Sequence, residues 1–294
     1  MKKNKAIKLS QGQRQRLRLI ESRLIWEGAF RRSDICDAFE LTLNHVTREI
    51  TAYRKAFKDN LVYDPETRAW RASSAFTPAY ASDAPEDYLT FLHAFAISGD
   101  RSVMASAGPP LPAQALPAVA SKIERTILKE VIGAIRRSAG LRVRYQSFSD
   151  PEPVERTLWP HALAYMHDRW HLRAYDSRRE KFGDFVLARI VKARPTDDAA
   201  SPVPASADDD WHTQVKLDMV PASSLSASQA AAVVREFGMR RNGDAWVWSV
   251  SLRRCLAPYF LQQHRLDLPV SAAPHRRIVL RDPALAKRYS FVDD

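Results

Sequence analysis

Glycine is scarce in this chain, with nine residues in 294. The loops that cradle phosphates in many nucleotide-binding enzymes need several closely spaced glycines, because their backbone amides approach the phosphate directly. The sequence has no such loop, and it has no Gly-x-Ser-x-Gly turn of the kind that presents a nucleophilic serine in hydrolases. These absences argue against the commonest nucleotide-hydrolysing and ester-hydrolysing enzymes.

Cysteine and long apolar runs are scarce as well. Cys36 and Cys255 are far apart and have no paired spacing around them, which fits a reducing cytoplasm. No stretch reaches the roughly 18 apolar residues of a membrane span, and no signal-peptide core follows the basic N-terminus. His161, His167 and His171 match no metal-binding spacing. We therefore expect a cytoplasmic protein with no membrane segment, no metal and no cofactor.

Positive charge is abundant: the formal net charge is +11 and the isoelectric point is about 9.8. Residues 1–60 alone contain 14 Lys and Arg against 7 Asp and Glu. A basic protein favours an acidic partner, because each Lys or Arg docked on a phosphate releases condensed counterions. Nucleic acid is the leading candidate. With 45% hydrophobic residues, the chain can also form ordinary globular cores, and its length predicts more than one domain.

Residues 1–75 have the pattern of a winged helix-turn-helix domain. Apolar side chains recur at helical spacing in three short segments, and two strand-like segments then flank a turn that contains Pro65. The predicted elements are helices over 13–27, over 34–39 with Ser33 as its cap, and from Thr42 or Asn44 to Phe57, followed by strands over 61–63 and 68–71.

The third of these helices is the predicted recognition helix. Polar side chains lie on the face opposite its apolar stripe, near the end that reaches base edges in the major groove. Arg48 is suited to a two-bond contact with guanine, and Asn44 to one with adenine, while nearby cations suit phosphates. An ordinary solvated helix face is the alternative. The predicted DNA-contacting residues are Asn44, His45, Thr47, Arg48, Thr51, Lys55, Lys58, Arg68 and Arg71.

Three further regions follow along the chain. A helical linker region over 76–120 leads to a second domain over 121–196, made of a helix over 121–138 and strands near 141–147, 156–166, 169–175 and 184–193. A Pro- and Asp-rich linker over 195–210 then leads to a C-terminal extension over 211–294. There the order strand, helix, strand, helix predicts a small α+β layer, with Pro258 kinking its last helix. This layer is small for a self-sufficient core, so we expect a second copy to complete it as a dimer.

Basic and polar side chains occupy strand positions of the second domain where alternation predicts burial. The set is Tyr145, Ser147, His161, Arg169, Arg173 and Arg189. A buried guanidinium is costly unless it meets an anion, and its planar fork suits phosphate or carboxylate. The anion is either an external ligand or an internal acid, for which Asp168, Asp176, Asp184 and Glu180 are the candidates. These acids lie mostly in predicted turns, which favours the external ligand for the set as a whole.

Five segments resemble the WYL-domain transcription regulators, in particular those that accompany bacterial BREX and CBASS anti-phage systems. They are Leu61-Val62-Tyr63-Asp64, Tyr145-Gln146-Ser147, Trp159-Pro160-His161, Trp170-His171-Leu172-Arg173-Ala174-Tyr175 and Asp184-Phe185-Val186-Leu187-Ala188-Arg189-Ile190. The sequence departs from the family at His171, where the name-giving Tyr would stand, and at Gly183, where members often have Arg. The resemblance implies a winged helix, a WYL domain on an Sm-like barrel and a C-terminal dimerisation extension. It also implies that the six residues of the second domain match the family's ligand pocket.

Together these features predict an α+β homodimer that binds a palindromic double-stranded DNA operator. We expect a repressor of a phage-defence operon, with a WYL pocket that senses an anionic nucleotide or nucleic-acid ligand, and no enzymatic activity. Two alternatives stay open: a nucleic-acid-processing enzyme, and an RNA-binding module that uses the basic face of the barrel. The lack of paired acids at metal-binding spacing argues against the enzyme.

Overall fold

The structure is a computed structural model that describes residues 9–117, 122–196, 200–269, 272–273 and 275–291. The chain divides into two compact units, residues 1–118 and 119–294. The first unit joins the predicted winged helix and the predicted helical linker region in one body. Within the described ranges, no helix combines the length and the apolar character needed to cross a bilayer.

The first unit begins with a three-helix core beside a small antiparallel sheet. Its elements are α1 (Gln11–Trp26), β1 (Ala29–Phe30), α2 (Arg32–Phe39), α3 (Leu43–Ala56), β2 (Leu61–Asp64) and β3 (Ala69–Ala72), with the sheet in the order β1-β3-β2. Apolar side chains of all three helices meet in one cluster with those of the sheet. The predicted helices and hairpin are confirmed. Strand β1 was not predicted, because two residues are too few to show an alternation.

The caps of α2 and α3 decide where these helices begin. The prediction that Ser33 caps α2 is wrong: the helix begins at Arg32, and the Asp34 carboxylate accepts a hydrogen bond from the Arg31 amide at 2.6 Å. Thr42 does cap α3, because its hydroxyl accepts a hydrogen bond from the His45 amide at 3.4 Å.

The segment after the wing is tied to α1 through a buried carboxylate. Glu21 is fully buried, and it accepts hydrogen bonds from the amides of Ala79, Tyr80 and Ala81. The Tyr53 hydroxyl donates a further one at 2.8 Å. A carboxylate is buried at tolerable cost only when donors surround it in this way. The start of the predicted linker region over 76–120 is therefore packed against α1. Helix α4 (Pro85–Ser98) follows, as predicted.

The second unit begins with α5 (Arg125–Arg137) packed on a five-stranded antiparallel sheet. Its strands are β4 (Leu141–Tyr145), β5 (Val154–Met166), β6 (Arg169–Asp176), β7 (Lys181–Val186) and β8 (Ile190–Pro195), in the order β7-β6-β5-β4-β8. The first three predicted strands are confirmed, whereas the strand predicted near 184–193 is divided between β7 and β8 by a 3-10 turn over Leu187–Arg189. The strand pairings of the described residues do not include the contact of β7 with β8 that would close a barrel. Helix α5 begins later than the predicted start at Ser121, which lies outside the described residues.

The C-terminal layer of this unit is a split β-α-β fold of the ferredoxin-like kind. Its elements are β9 (Gln214–Pro221), α7 (Ala227–Glu236), β10 (Arg240–Asn242), β11 (Ala245–Arg253), α8 (Ala257–Gln263), β12 (Ile278–Leu280) and α9 (Ala284–Tyr289), with the sheet in the order β10-β11-β9-β12. The predicted α+β layer is confirmed. The sequence pattern missed β12 and α9, which are short.

The second predicted linker is folded where the structure describes it. Ala205–Ala207 forms a 3-10 turn, and α6 (Asp209–His212) follows directly. Between them, Asp208 is 1% exposed. The stretch therefore packs against the rest of the unit instead of spanning a gap.

Candidate DNA-binding surface and anion pocket

Helix α3 separates its apolar and polar side chains onto opposite faces. Val46, Ile50 and Tyr53 are buried in the core of the first unit. Because successive helical residues turn by about 100°, side chains at spacings of four, three and four form one stripe on the other face. This exposed stripe consists of Asn44, Arg48, Thr51 and Lys55.

The cations of this surface differ in whether they are already paired. Among the described residues, Arg48, Lys55, Lys58 and the wing residue Arg68 are exposed and have no ion pair. Arg71 donates from Nε to the Asp64 carboxylate at 2.8 Å. The charges of the four cations without an ion pair remain available to phosphates, whereas the charge of Arg71 is partly balanced by Asp64.

The paired acid of the wing is strongly ionised. Hydrogen bonds from Thr67 and then from Arg71 lower the pKa of Asp64 to about 2. Asp64 is thus charged at neutral pH and holds the turn between β2 and β3, with further bonds from the amides of Glu66 and Thr67.

His45 and Thr47 lie at the sides of the exposed stripe and have partners within the unit. The His45 Nε2 lies 3.3 Å from a carboxylate oxygen of Glu49. The Thr47 hydroxyl donates to the Leu43 carbonyl at 2.7 Å and accepts from Arg32 at 3.2 Å. These two side chains are less free to contact DNA than Arg48 and Lys55; the Thr51 hydroxyl, like that of Thr47, donates to a backbone carbonyl of its own helix.

Glu49 is a residue of this surface that the sequence pattern did not single out. It is 9% exposed and accepts two hydrogen bonds from the Arg16 guanidinium of α1, one of them at 2.7 Å. A two-bond contact between a guanidinium and a carboxylate fixes orientation as well as distance. The pair therefore sets the position of α3 on α1. Its signal in the sequence is one acid at the helical spacing of the buried residues Val46 and Tyr53.

The predicted pocket of the second unit does not form one cluster of free polar groups. Tyr145 is 5% exposed and packs in the core, where its hydroxyl accepts a hydrogen bond from the Val186 amide at 3.1 Å. Ser147 lies just beyond the end of β4, and its hydroxyl donates to Asp150 at 2.8 Å.

Arg173 and His161 converge on one carboxylate, that of Asp208. The Nε and Nη2 atoms of Arg173 each donate to a different oxygen of Asp208 at 2.8 Å. The His161 Nε2 lies 2.9 Å from the same carboxylate. Arg173 is 4% exposed, so the three groups form a nearly dry cluster.

Of the two alternatives left open for each arginine, the structure shows the internal acid for Arg173. Its main partner is Asp208, with a weaker contact of 3.3 Å to Asp184. The sequence pattern did not suggest Asp208, because it stands 35 residues further along in a stretch predicted to be a linker.

Burial and pairing shift the pKa values in this cluster. Burial is the largest influence on the pKa of Asp208 and raises it. The hydrogen bonds and positive charge of Arg173, together with hydrogen bonds from His161 and the Trp211 amide, bring the pKa below its ordinary value. Burial lowers the pKa of His161, with partial compensation from Asp208. Burial raises the pKa of Asp184. At neutral pH, Asp208 is thus a firmly ionised partner for Arg173.

A second group of basic side chains in this unit has no acidic partner. Arg169, at the start of β6, and Arg189, just before β8, form no ion pair among the described residues. His171 is nearly buried, and its Nδ1 lies 3.1 Å from the Arg169 carbonyl oxygen. Burial lowers the pKa of His171, and the positive charges of Arg169 and Arg189 lower it further. The group therefore has uncompensated positive charge.

An exposed aromatic ring adjoins this charge. The Arg189 guanidinium carbon lies 4.0 Å from the ring centroid of Phe148, which is 88% exposed. Arginine and aromatic faces are the groups on which unpaired nucleobases stack. The sequence pattern did not single out Phe148, because an isolated Phe in a loop has no periodic signal. Among the described residues, no group of three His, Cys, Asp or Glu is placed to hold a metal ion.

Comparison with known proteins assigns most of the chain to three family models. Residues 12–94 match the BrxR transcriptional regulator winged helix-turn-helix domain. Residues 126–195 match the WYL domain. Residues 214–285 match the BrxR transcriptional regulator C-terminal dimerization domain.

Curated relatives with the description "DNA-binding transcriptional repressor CapW" are similar over most of their length. The protein of Stenotrophomonas maltophilia is 33% identical over 288 residues, which cover 97% of this chain and 94% of the relative. That of Pseudomonas aeruginosa is 33% identical over 258 residues, 87% of this chain and 84% of the relative. That of Escherichia coli strain KTE188 is 33% identical over 230 residues, 78% and 76% of the two chains. The similarity thus extends through all three regions.

Proposed function

The chain belongs to the family of BrxR and CapW transcriptional regulators, and we propose that it is a homodimeric repressor whose WYL domain senses an anionic ligand. As a member of this family it is a DNA-binding transcription regulator. The resemblance of its segments to regulators of BREX and CBASS systems supports a phage-defence operon as its target. Its place of action is then the cytoplasm, where the operator is.

The observation that carries the DNA-binding part is the exposed stripe of α3. Its four polar side chains stand opposite the buried face, and Arg48 among them is unpaired in the described part of the chain. An Arg–guanine contact with two hydrogen bonds supplies about 1–3 kcal/mol of discrimination against a wrong base. Lys55 and Arg68 then contact phosphates, which position the domain without reading sequence.

The homodimer is proposed from the C-terminal layer, which matches a dimerization domain over residues 214–285. A dimer with two-fold symmetry presents two copies of α3, so its operator is a palindrome with two half-sites. Two half-sites also double the contacts available for specificity.

The sensing part is supported by the unpaired Arg169 and Arg189 and by the ring of Phe148 beside Arg189. Two cations suit the phosphates of a nucleotide or nucleic-acid fragment, and the exposed ring suits its base. The ligand alters operator affinity only if it binds one dimer geometry better than another.

Footprinting of the full-length protein on the DNA upstream of its own gene tests this proposal. We expect a protected palindrome that is bound at least a thousandfold more tightly than scrambled DNA at the same salt concentration. Equal affinities for the two sequences would contradict the proposed specificity.

Two competing functions are tested with the same protein. An enzyme that processes nucleic acid would cleave or modify labelled duplex DNA in the presence of Mg²⁺, whereas we expect the DNA to stay intact. An RNA-binding module would prefer single-stranded RNA to the operator duplex, whereas we expect the reverse preference.

A further inference from the structure

Asp208 lies in the second unit between the side chains of Arg173 and His161, in a site whose donors also suit an anionic ligand. The two oxygens of Asp208 accept charge-assisted hydrogen bonds of 2.8 Å from Nε and Nη2 of Arg173, and the His161 Nε2 lies 2.9 Å from one of them. The fork of a guanidinium binds carboxylate and phosphate oxygens in the same two-bond geometry. Arg173 also has Asp184 on the neighbouring strand β7 as a nearby negative charge. Asp208 is thus an additional anion that a different segment delivers to the sheet.

A cavity gives an anion access to this arginine. It measures about 440 Å³ and is lined by Arg173, Arg254 and Arg288, together with Asp184 and Asp210. Arg254 donates to the Asp210 carboxylate, which balances one of these cations. Arg288 has no acidic partner among the described residues. The cavity therefore offers an anion a route to the same guanidinium that holds Asp208.

The segment that contains Asp208 also contacts the C-terminal layer. The Arg254 amide donates to the Thr213 carbonyl at 2.9 Å. The Arg253 guanidinium carbon lies 4.2 Å from the ring centroid of Trp211, and the Arg253 Nη1 donates to the Trp211 carbonyl. Residues 208–213 are therefore bonded at one end to the WYL sheet and at the other to the layer that matches a dimerization domain.

We propose that Asp208 is a tethered occupant of an anion site formed by Arg173 and His161, and that an anionic ligand entering the adjacent cavity displaces it. Displacement releases residues 208–213 from the WYL sheet and so removes one of the connections between the sheet and the C-terminal layer. The contacts of Tyr259 with His167 and His171 remain. This inference rests on the proposed sensing function, and it identifies residues 208–213 as the segment that moves when the ligand binds. Arg173 and His161 belong to the predicted ligand pocket, and the new element is Asp208 as a competitor for them.

The tether determines what a binding experiment should show. A carboxylate held on the same chain competes at an effective concentration that is commonly millimolar or higher, so free phosphate binds weakly while Asp208 is in place. Removing the carboxylate leaves Arg173 with a vacant fork in a nearly dry site.

Calorimetric titration of the full-length protein with inorganic phosphate tests the proposal. Ionic strength is held constant with sodium chloride. We expect Asp208→Ala to bind phosphate at least tenfold more tightly than the wild type. Equal affinities in the two proteins would overturn the proposal, because Asp208 would then be a structural partner and nothing more.

Asp176→Ala is the matched control. Asp176 pairs with Arg156 at 2.6 Å in the same sheet and is equally buried, but neither residue lines the cavity. This variant should keep the wild-type phosphate affinity. An equal gain in the two variants would show a general effect of lost negative charge and would overturn the assignment of the site.

Asp208→Asn keeps the test decisive if the alanine variant does not fold. The amide retains the side-chain volume and can still accept the bond from the Trp211 amide, which Asp208 accepts at 3.2 Å. It removes the charge that competes with phosphate. We expect a gain in phosphate affinity in the same direction, and no gain would count against the proposal.

Operator affinity of the same proteins separates this inference from the proposed function. Asp208→Ala can gain phosphate affinity while added phosphate leaves its affinity for the operator unchanged. That result would support Asp208 as the occupant of an anion site and would contradict a role of the site in sensing. If the variant gains nothing while a nucleotide still shifts the wild type on its operator, the inference alone is overturned.

Discussion

At the residue scale, buried carboxylates hold this protein together in three places. Glu21 accepts hydrogen bonds from backbone amides of the segment after the wing. Asp176 of β6 pairs with Arg156 of β5, and Asp208 contacts both His161 and Arg173. Each is at most 1% exposed. For Asp176 and Asp208, removing the arginine leaves a buried charge uncompensated, so these two ion pairs cost far more to break than exposed ones do.

Arg173→Ala should destabilise the second unit by about 3–5 kcal/mol, because Asp208 would remain buried without its guanidinium. Arg189→Ala is the control: Arg189 has no ion pair among the described residues, and its loss should change the free energy of unfolding by less than about 1 kcal/mol. Urea unfolding of the three proteins measures both effects. Equal losses in the two variants would contradict the difference in pairing.

His171 should make the protein less stable in mild acid. Its pKa is lowered in the folded state, mainly by burial, so near pH 6 the unfolded chain binds more protons than the folded one. Stability therefore falls as the pH drops below about 6.5, the ordinary value for histidine. His171→Gln should lose less stability between pH 7.5 and pH 5 than the wild type does. Parallel pH profiles from thermal unfolding would contradict this assignment.

At the scale of secondary-structure elements, the Thr42 cap stabilises the first turn of α3, the helix that carries the exposed stripe. Thr42→Ala should cost about 1 kcal/mol, the usual effect of losing a capping hydroxyl. Ser33→Ala should cost less than about 0.5 kcal/mol, because Ser33 lies inside the first turn of α2 and makes no capping bond. Hydrogen exchange of the first amides of α3 reports the first effect directly. A larger loss of stability in Ser33→Ala than in Thr42→Ala would show that Ser33 caps α2 after all.

The elements that could be predicted are those with a local and repeated signal. Val46, Ile50 and Tyr53 recur at helical spacing, and that periodicity places both the core face and the exposed face of α3. Strand alternation likewise places Leu141 and Val143 in the core beside β5.

The partners of the candidate pocket could not be predicted, because they depend on contacts between distant parts of the chain. Asp208 meets Arg173 across 35 residues, and Tyr259 of α8 meets His171 at 5.5 Å between ring centroids. Neither contact produces a repeated pattern of residues in the sequence. Short elements such as β1 and β12 were missed for a related reason: two or three residues do not establish an alternation.

At the scale of the whole molecule, the account requires two copies of the chain. The C-terminal match to a dimerization domain predicts a mass in light scattering of twice 33.4 kDa. A dimer also predicts that an operator with one half-site destroyed is bound far more weakly than the intact palindrome. A monomer that binds the intact operator at full affinity would contradict the proposed symmetry.

Titration of the operator and a scrambled duplex with the wild type and with Arg48→Ala tests the central claim most directly, at one fixed salt concentration. A dimer contributes Arg48 twice, so the variant should lose about 2–6 kcal/mol of preference for the operator if each copy makes a two-bond base contact. Its affinity for the scrambled duplex should fall much less, because Lys55 and Arg68 still contact phosphates. If the ratio of operator to scrambled affinity is the same in both proteins, α3 does not read the operator through Arg48 and the account of the DNA-binding surface is wrong.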